Sequence, residues 1–386
     1  MKRFQKILAR LCLALGGTIC GLLLVECSFR IFPPPTAGFV LDATLTTYNP
    51  HLYQRHPTQI NVLAPNVEVE LSTVEYNTKI RTNQLGLRGG PLGPKGQKTR
   101  ILAIGDSFTL GLQVEEVESW TQLLGSKLSA ALDTPVEVLN AGVDGYGTEQ
   151  ATAQLRTLAT RTQADWAVLT FYLGNDFRDN TLLDQRREMG RSNRPPPSQP
   201  MAAGGGSLWL AKHSHLYTHW LVHKALNARS KDFRIQEYRD EILPFVSEAD
   251  LQRMLPRTQN ALNDFKSACT SLNIGCVLVL MPPAYLVDKK RTKSTMKAFG
   301  LRHDAAQTGR PAEAIKTVYA GEWVVDLTSG LQASRKATYL VFDPHLNTHG
   351  HRVVAEELSQ KLTPILRASP PSRNRSRPNI QPKPHP

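Results

Sequence analysis

Three apolar runs recur at regular intervals through the first half of the chain, each followed by a turn that contains glycine. They are Arg100-Ile-Leu-Ala-Ile-Gly105, Val136–Leu139 and Trp166–Tyr172. The first of them lacks the alternation of polar and apolar residues that a half-exposed strand shows. Unbroken apolar runs of this length suit parallel strands that are covered on both faces. Helical patterns around Glu118–Leu132 and Glu149–Ala159 separate them. The βαβαβ rhythm predicts an α/β fold, a three-layer doubly wound parallel sheet. Further strands are expected at Cys276–Met281 and Glu322–Leu327, with helices at about Glu248–Ser271 and Thr348–Leu362.

Around this body the chain changes character. Residues 1–10 are a basic start with Lys2, Arg3, Lys6 and Arg10, and an apolar run from Leu11 to Val25 extends loosely to Phe32. The run is long enough to cross a bilayer as a span at 11–32, and Glu26 and Arg30, four residues apart, can pair on a helix. Positive charge ahead of a span keeps the N-terminus inside, so a single-pass protein of the cytoplasmic (inner) membrane is expected, with its body extracytoplasmic. A cleaved signal peptide is the rival reading. No A-x-A-like site follows the run, and Pro33-Pro34-Pro35 comes instead. Cys27 follows Leu-Val-Glu, a poor context for lipidation.

Residues 33–95 read as a juxtamembrane segment with short strands, at Val67–Leu71 and Thr78–Thr82, and a turn at Asn83–Gly86. The main domain is placed at 96–367. A helical insertion is expected at about 178–245, with a linker at 194–206 (RPPPSQPMAAGGG) and a helical pattern at about Ser207–Arg229. The tail 368–386 holds six prolines and is expected to be disordered.

Charge narrows the partners. The chain carries +13, and +4 sits at each end, which leaves +5 for residues 11–367. No basic stripe with interleaved aromatics is present, so no nucleic acid is expected. Five cysteines in 386 residues exclude a disulfide scaffold. Cys269 and Cys276 sit in the body, where a disulfide is permitted outside the cytoplasm, and whether they pair stays open.

Four motifs lie at the ends of predicted elements. Gly105-Asp106-Ser107 follows the first buried strand, where an exposed serine near a helix N-terminus suits a nucleophile that generates an oxyanion. A plain helix cap is the equal alternative. Asn140–Thr148 is rich in glycine and lets backbone N–H groups approach a ligand, although an ordinary turn has the same composition. It lacks the G-x-G-x-x-G of a dinucleotide site. Gly174-Asn175-Asp176 offers an amide that can donate to an oxyanion, or a turn asparagine. Asp343-Pro-His345 offers a general base with a carboxylate beside it. His215, His219 and His223 would align on a helix but lack a carboxylate or cysteine partner, so no metal is expected. His349 and His351 are expected to start the last helix, and Asp106 and Asp176 to bind turn backbone.

Serine, glycine, asparagine and Asp/His in that order resemble the SGNH (GDSL) hydrolases over roughly residues 75–365. The resemblance implies a flavodoxin-like sheet topology and acyl transfer through a Ser107 ester. It makes His345 the base and Asp343 its orienting acid. The Ser107 N–H, the Gly145 N–H and the Asn175 amide would form the oxyanion hole, with Gly145 preferred to Gly142. No cofactor is implied. The Glu26/Arg30 span, Asn83-x-x-Gly86-Leu-Arg88 and Asp343-x-His345-Leu-Asn347 look like membrane-anchored bacterial members. These are often associated with acyl groups on extracytoplasmic polysaccharides. The expectation is a serine esterase or O-acyltransferase acting on an acylated small molecule or glycan. The alternative is a catalytically weak SGNH-fold module for glycan binding or assembly. Most relatives space acid and base as Asp-x-x-His, and this chain has one residue fewer.

Overall fold

The computed structural model describes residues 2–32, 50–73, 75–191, 209–210, 213–217, 219–220, 241–298, 301–302, 309–319, 323–341 and 343–368. The linker at 194–206, most of the helical pattern at 207–229, His223 and the tail beyond 368 lie outside them.

The chain opens with one continuous helix, α1 (Lys2–Ile31), so the basic start belongs to the same helix as the apolar run. Within it Phe4–Ile31 is long and apolar enough to cross a membrane, and none of that span is buried against the body. Two antiparallel hairpins follow, β1 (Tyr53–His56) with β2 (Ile60–Leu63), and β3 (Glu68–Ser72) with β4 (Asn77–Arg81). The turn after β4 forms where it is predicted. Asn83 Oδ1 accepts from the N–H groups of Leu85 and Leu87, and Gly86 takes φ +70°.

Five parallel strands make the central sheet. They are β5 (Thr99–Gly105), β6 (Val136–Gly142), β7 (Trp166–Tyr172), β8 (Gly275–Met281) and β9 (Val324–Asp326), in the order β6-β5-β7-β8-β9. Counted within the sheet this is 2-1-3-4-5, the flavodoxin-like order. α2 (Ser107–Leu110) follows β5, and α3 (Trp120–Leu132), α4 (Thr148–Thr162) and α5 (Asp176–Arg191) alternate with the strands. α6 (Glu248–Leu272) leads into β8. Then come α7 (Ala284–Val287), α8 (Lys289–Ala298), α9 (Arg310–Tyr319), α10 (Thr328–Ala333) and α11 (Thr348–Ala368).

The period-two geometry of a strand sorts side chains between two cores. Leu102, Ile104, Leu169, Phe171, Leu278 and Leu280 face one side and pack with Leu155, Leu262 and Phe265 of α4 and α6. Ile101, Ala103, Val138, Val168, Val277 and Val279 face the other and pack with Leu124, Leu128, Val354 and Leu358 of α3 and α11. Both faces are thus covered, which explains the unbroken apolar runs.

Packing adds detail at two of the expected boundaries. Leu52, Leu63, Val69, Leu71, Ile80 and Leu87 are buried in the first of these cores. The described part of 33–95 is therefore part of the body, because its alternating strands bury one face against it. α5 begins at Asp176, close to the expected start of the insertion at about 178, and its Phe177 and Leu183 are buried. α7 and α10, of four and six residues, carry too few turns for a helical period to show in the sequence. Cys269 and Cys276 form a disulfide between α6 and β8, with Cα atoms 6.2 Å apart.

At the end of β6, a Cβ on Gly142 would lie 2.2 Å from Leu110 N and 2.8 Å from Leu110 Cα. Both neighbours are backbone and cannot swing away. Gly142→Ala is expected to cost about 1–3 kcal/mol of stability, the range of overpacked sites, measured by urea denaturation.

Candidate active site

β5 ends at Gly105, where the backbone turns at once into α2. Gly105 has φ +148°, and a Cβ there would meet Thr109 Oγ1 at 2.5 Å and the Thr170 carbonyl oxygen at 2.8 Å. Glycine alone accommodates both demands. Asp106 caps the helix, its Oδ1 accepting from Phe108 N–H at 2.9 Å. Ser107 thus begins a helix at the carboxyl end of β5. The strand order reverses between β5 and β7, which is where open α/β sheets bind ligands.

The carbonyls that end α2 need donors, and two side chains supply them. Asn140 Nδ2, from β6, donates to Thr109 O at 2.8 Å. Arg88 donates to Leu110 O at 2.7 Å, to Gly111 O, and to Val114 O at 2.5 Å. Burial lowers the Arg88 pKa to about 10, against the pull of Glu116 and Glu115, so it stays a cation at neutral pH. His351 packs against the same turn, and its Nδ1 accepts from Trp120 N–H at 3.1 Å. Burial, with Arg88 and His345 adding repulsion, pushes His351 down to about 3 and keeps it neutral.

His345 faces Ser107 across this turn. Its Nε2 lies 2.7 Å from Ser107 Oγ, and its Nδ1 lies 2.5 Å from Asp343 Oδ1. A carboxylate can only accept, so Nδ1 carries the proton and Nε2 presents its lone pair to the hydroxyl. Asp343 Oδ1 also accepts from His345 N–H at 2.9 Å. One residue between acid and base suffices because the carboxylate folds into an Asx turn and meets the ring of the same residue it caps. Burial raises the Asp343 pKa, but the charge of His345 and its side-chain and backbone hydrogen bonds outweigh this and hold it below the usual range. Phe108 supports the imidazole from the side, with ring centroids 4.7 Å apart, and stacks on Tyr172 at 4.0 Å.

Ser107, His345 and Asp343 therefore form one hydrogen-bonded chain. Gly145 and Asn175 stand in the loops after β6 and β7, the strands on either side of β5. Gly145 is exposed at φ +73°, with nothing within 4 Å of a Cβ position. Gly142 N–H is occupied by Asn140 Oδ1 at 3.1 Å. Asn175 is half-buried, and its side-chain oxygen has no hydrogen-bond partner among the described residues. His349 sits on α11 with Nε2 2.9 Å from Ser334 Oγ. Asp176 Oδ2 accepts from Tyr172 N–H at 3.1 Å.

Sequence reasoning missed Glu75, at the tip of the β3–β4 hairpin. Its carboxylate accepts from Val341 N–H at 2.7 Å and from Asp343 N–H at 2.6 Å, so it grips the loop that carries acid and base. An acid in a turn 268 residues away leaves no signal of such a contact. Arg88 had a signal, as part of the Asn83-x-x-Gly86-Leu-Arg88 stretch, but its partners are carbonyls that no motif reveals.

Residues 101–197 match the family model for GDSL-like lipase/acylhydrolase. The match covers the serine, glycine and asparagine motifs and stops short of Asp343. No curated protein matches the chain. Solved structures similar to it include an acetylxylan esterase from Geobacillus stearothermophilus, in a catalytic mutant. That structure is 13% identical, with 70% of this chain and 96% of that chain covered and a TM-score of 0.37. Another is a lipase from a goat rumen metagenome, 15% identical, covering 71% and 99%, with a TM-score of 0.38. A third is a psychrotrophic esterase from Pseudoalteromonas sp., 12% identical, covering 70% and 99%, with a TM-score of 0.35.

Glu75→Gln keeps the size of the clamp and removes its charge. It is expected to lower kcat about tenfold with KM little changed, in steady-state ester hydrolysis, since a charged acceptor contributes about 1.5–3 kcal/mol. Asp106 gives a second test. Burial pushes its pKa up to about 7, although Phe108 N–H and His345 pull it down and the charges of Asp144 and Asp179 push it further up. A carboxyl raised in the folded state contributes stability below its unfolded value of 3.8, and loses it as pH rises through about 7. Asp106→Asn keeps the acceptor for Phe108. It is expected to be more stable than wild type at pH 8 in urea denaturation, with the gap closing toward pH 4.

Proposed function

We propose that this chain is an SGNH hydrolase, a reading supported by the match of residues 101–197 to the GDSL-like lipase/acylhydrolase family, and that it is a serine esterase or O-acyltransferase acting on small ester-linked acyl groups, acetyl above all. The observation that carries the reading is the unbroken hydrogen-bond chain from Ser107 through His345 to Asp343. Ser107 is only 7% exposed and His345 8%, and a site this closed favours a short acyl chain.

Each residue then has a role. Ser107 Oγ attacks the acyl carbonyl while His345 Nε2 takes its proton. Asp343 fixes the tautomer and stabilises the imidazolium. The Ser107 N–H is a natural donor to the oxyanion, because the first N–H groups of a helix have no partner within it. Gly145 N–H and the Asn175 amide complete the hole. Collapse of the tetrahedral intermediate breaks the ester C–O bond, and the leaving alcohol receives the proton from His345. Water then releases the acid, or a sugar hydroxyl takes the acyl group to form a new ester. The substrate class we favour is an acylated glycan outside the cytoplasm, reached by a body anchored through α1 in the cytoplasmic membrane. The length and apolar character of α1 and its basic first turns support the anchor.

The wild-type protein is expected to hydrolyse an aryl acetate and to be labelled by a serine-directed phosphonate. Ser107→Ala should lose at least about 10³-fold of the turnover, within the range for removal of a triad member, and all of the label. Adding glycan acceptors distinguishes acylated sugar from free acid as product. Equal turnover and labelling in wild type and Ser107→Ala would assign the chain to a glycan-binding or assembly module instead.

A further inference from the structure

We propose that residues 209–210, 213–217 and 219–220 form a docking surface for the lipid headgroup layer, which Glu26 and Arg30 strap to the outer end of the α1 span. The proposal rests on reading α1 as a membrane anchor. α1 is about 45 Å long at 1.5 Å per residue, more than the roughly 30 Å of a hydrocarbon core. Its charges cluster at the two ends, Lys2 to Arg10 at one and Glu26 and Arg30 at the other. With Leu11–Val25 in the hydrocarbon, Glu26 and Arg30 fall at the far interface.

These two charges are held by the segment itself. Glu26 Oε1 accepts from Arg30 Nε at 3.0 Å and from His215 N–H at 2.8 Å. Its Oε2 accepts from Ser214 Oγ and from Leu216 N–H, both at 2.9 Å. Arg30 Nη2 donates to the His213 carbonyl at 2.9 Å, and the edge of Phe29 meets the His219 ring at 5.0 Å between centroids. A carboxylate at a membrane boundary is costly unless it is paired, and here four donors meet one side chain. The backbone of 213–217 is thereby fixed to the last turns of α1.

Among its described residues the segment exposes large apolar and aromatic side chains. Trp209 is 60% exposed, Trp220 51% and Leu210 43%. Trp209 stacks on His213 at 4.5 Å and Trp220 on Tyr217 at 5.6 Å, so both indoles are held in place. Exposed indoles at the level of a span's end match the aromatic belt of membrane interfaces, where an apolar ring with one N–H is favoured. α1 has no tryptophan or tyrosine of its own. The strapped segment supplies what the span lacks.

The absence of tryptophan from α1 makes the test clean. The full chain is reconstituted in phosphatidylcholine vesicles whose acyl chains are brominated close to the headgroup, and tryptophan emission is compared with unbrominated vesicles. Trp120 and Trp166 are buried in the body, and Trp323 packs against its second core. We expect bromolipid to quench a component of the emission that Trp209→Phe/Trp220→Phe removes. Glu26→Leu should at least halve that component while the protein still resists alkaline carbonate extraction. Release by carbonate would overturn both the anchor and this proposal. Retention with unquenched emission, or quenching that survives in the double variant, would overturn this proposal alone. Cross-links between two copies through 209–220 in unquenched vesicles would assign the surface to a second copy of the chain.

Discussion

The carbonyl groups at the end of α2 are captured by Asn140 and Arg88, and the position of Ser107 follows from that capture. A helix of four residues makes too few internal bonds to hold its own shape, because nucleation is the costly step. Gly105 and Asp106 set its start, and the two captured carbonyls set its end. A buried arginine without a hydrogen-bonded carboxylate would be expensive anywhere else. Here it collects three carbonyl oxygens from the turn that follows the nucleophile, so its charge is spread over aligned dipoles. The stretch Asn83–Arg88 and the asparagine at 140, distant in sequence, thereby serve a single four-residue element.

Asp343 and His345 are arranged by a second economy. Asp343 Oδ1 receives both the backbone N–H and the ring N–H of His345. The shorter spacing is compatible with a hydrogen-bonded pair because the turn is local. Phe108 limits the ring from one side, and Glu75 holds the loop from outside.

The sheet was legible because each central strand is buried on both faces, which writes an apolar run into the sequence. Trp166–Tyr172 has the boundaries read from its residues, and the others differ by a few positions at their ends. The order of the motifs was legible too, since strand ends carry glycine and serine for reasons of local geometry. The role of residues 50–95 was not. Val69 and Ile80 look like one face of any exposed hairpin, and only the folded body shows that this face is buried. Glu75 and the contacts of Arg88 were opaque for another reason, as their partners are backbone groups whose identity leaves no trace in a side-chain pattern.

Ser107 and His345 are 238 residues apart, and Glu75 lies on the far side of both. A ribosome makes Ser107, its cap and the Glu75 clamp long before it makes His345. Domains fold progressively from the N-terminus during synthesis, but this reaction centre closes only when the last strand and α11 are in place. A nascent chain that has not yet reached residue 345 holds Ser107 without the imidazole that its hydroxyl meets in the folded body.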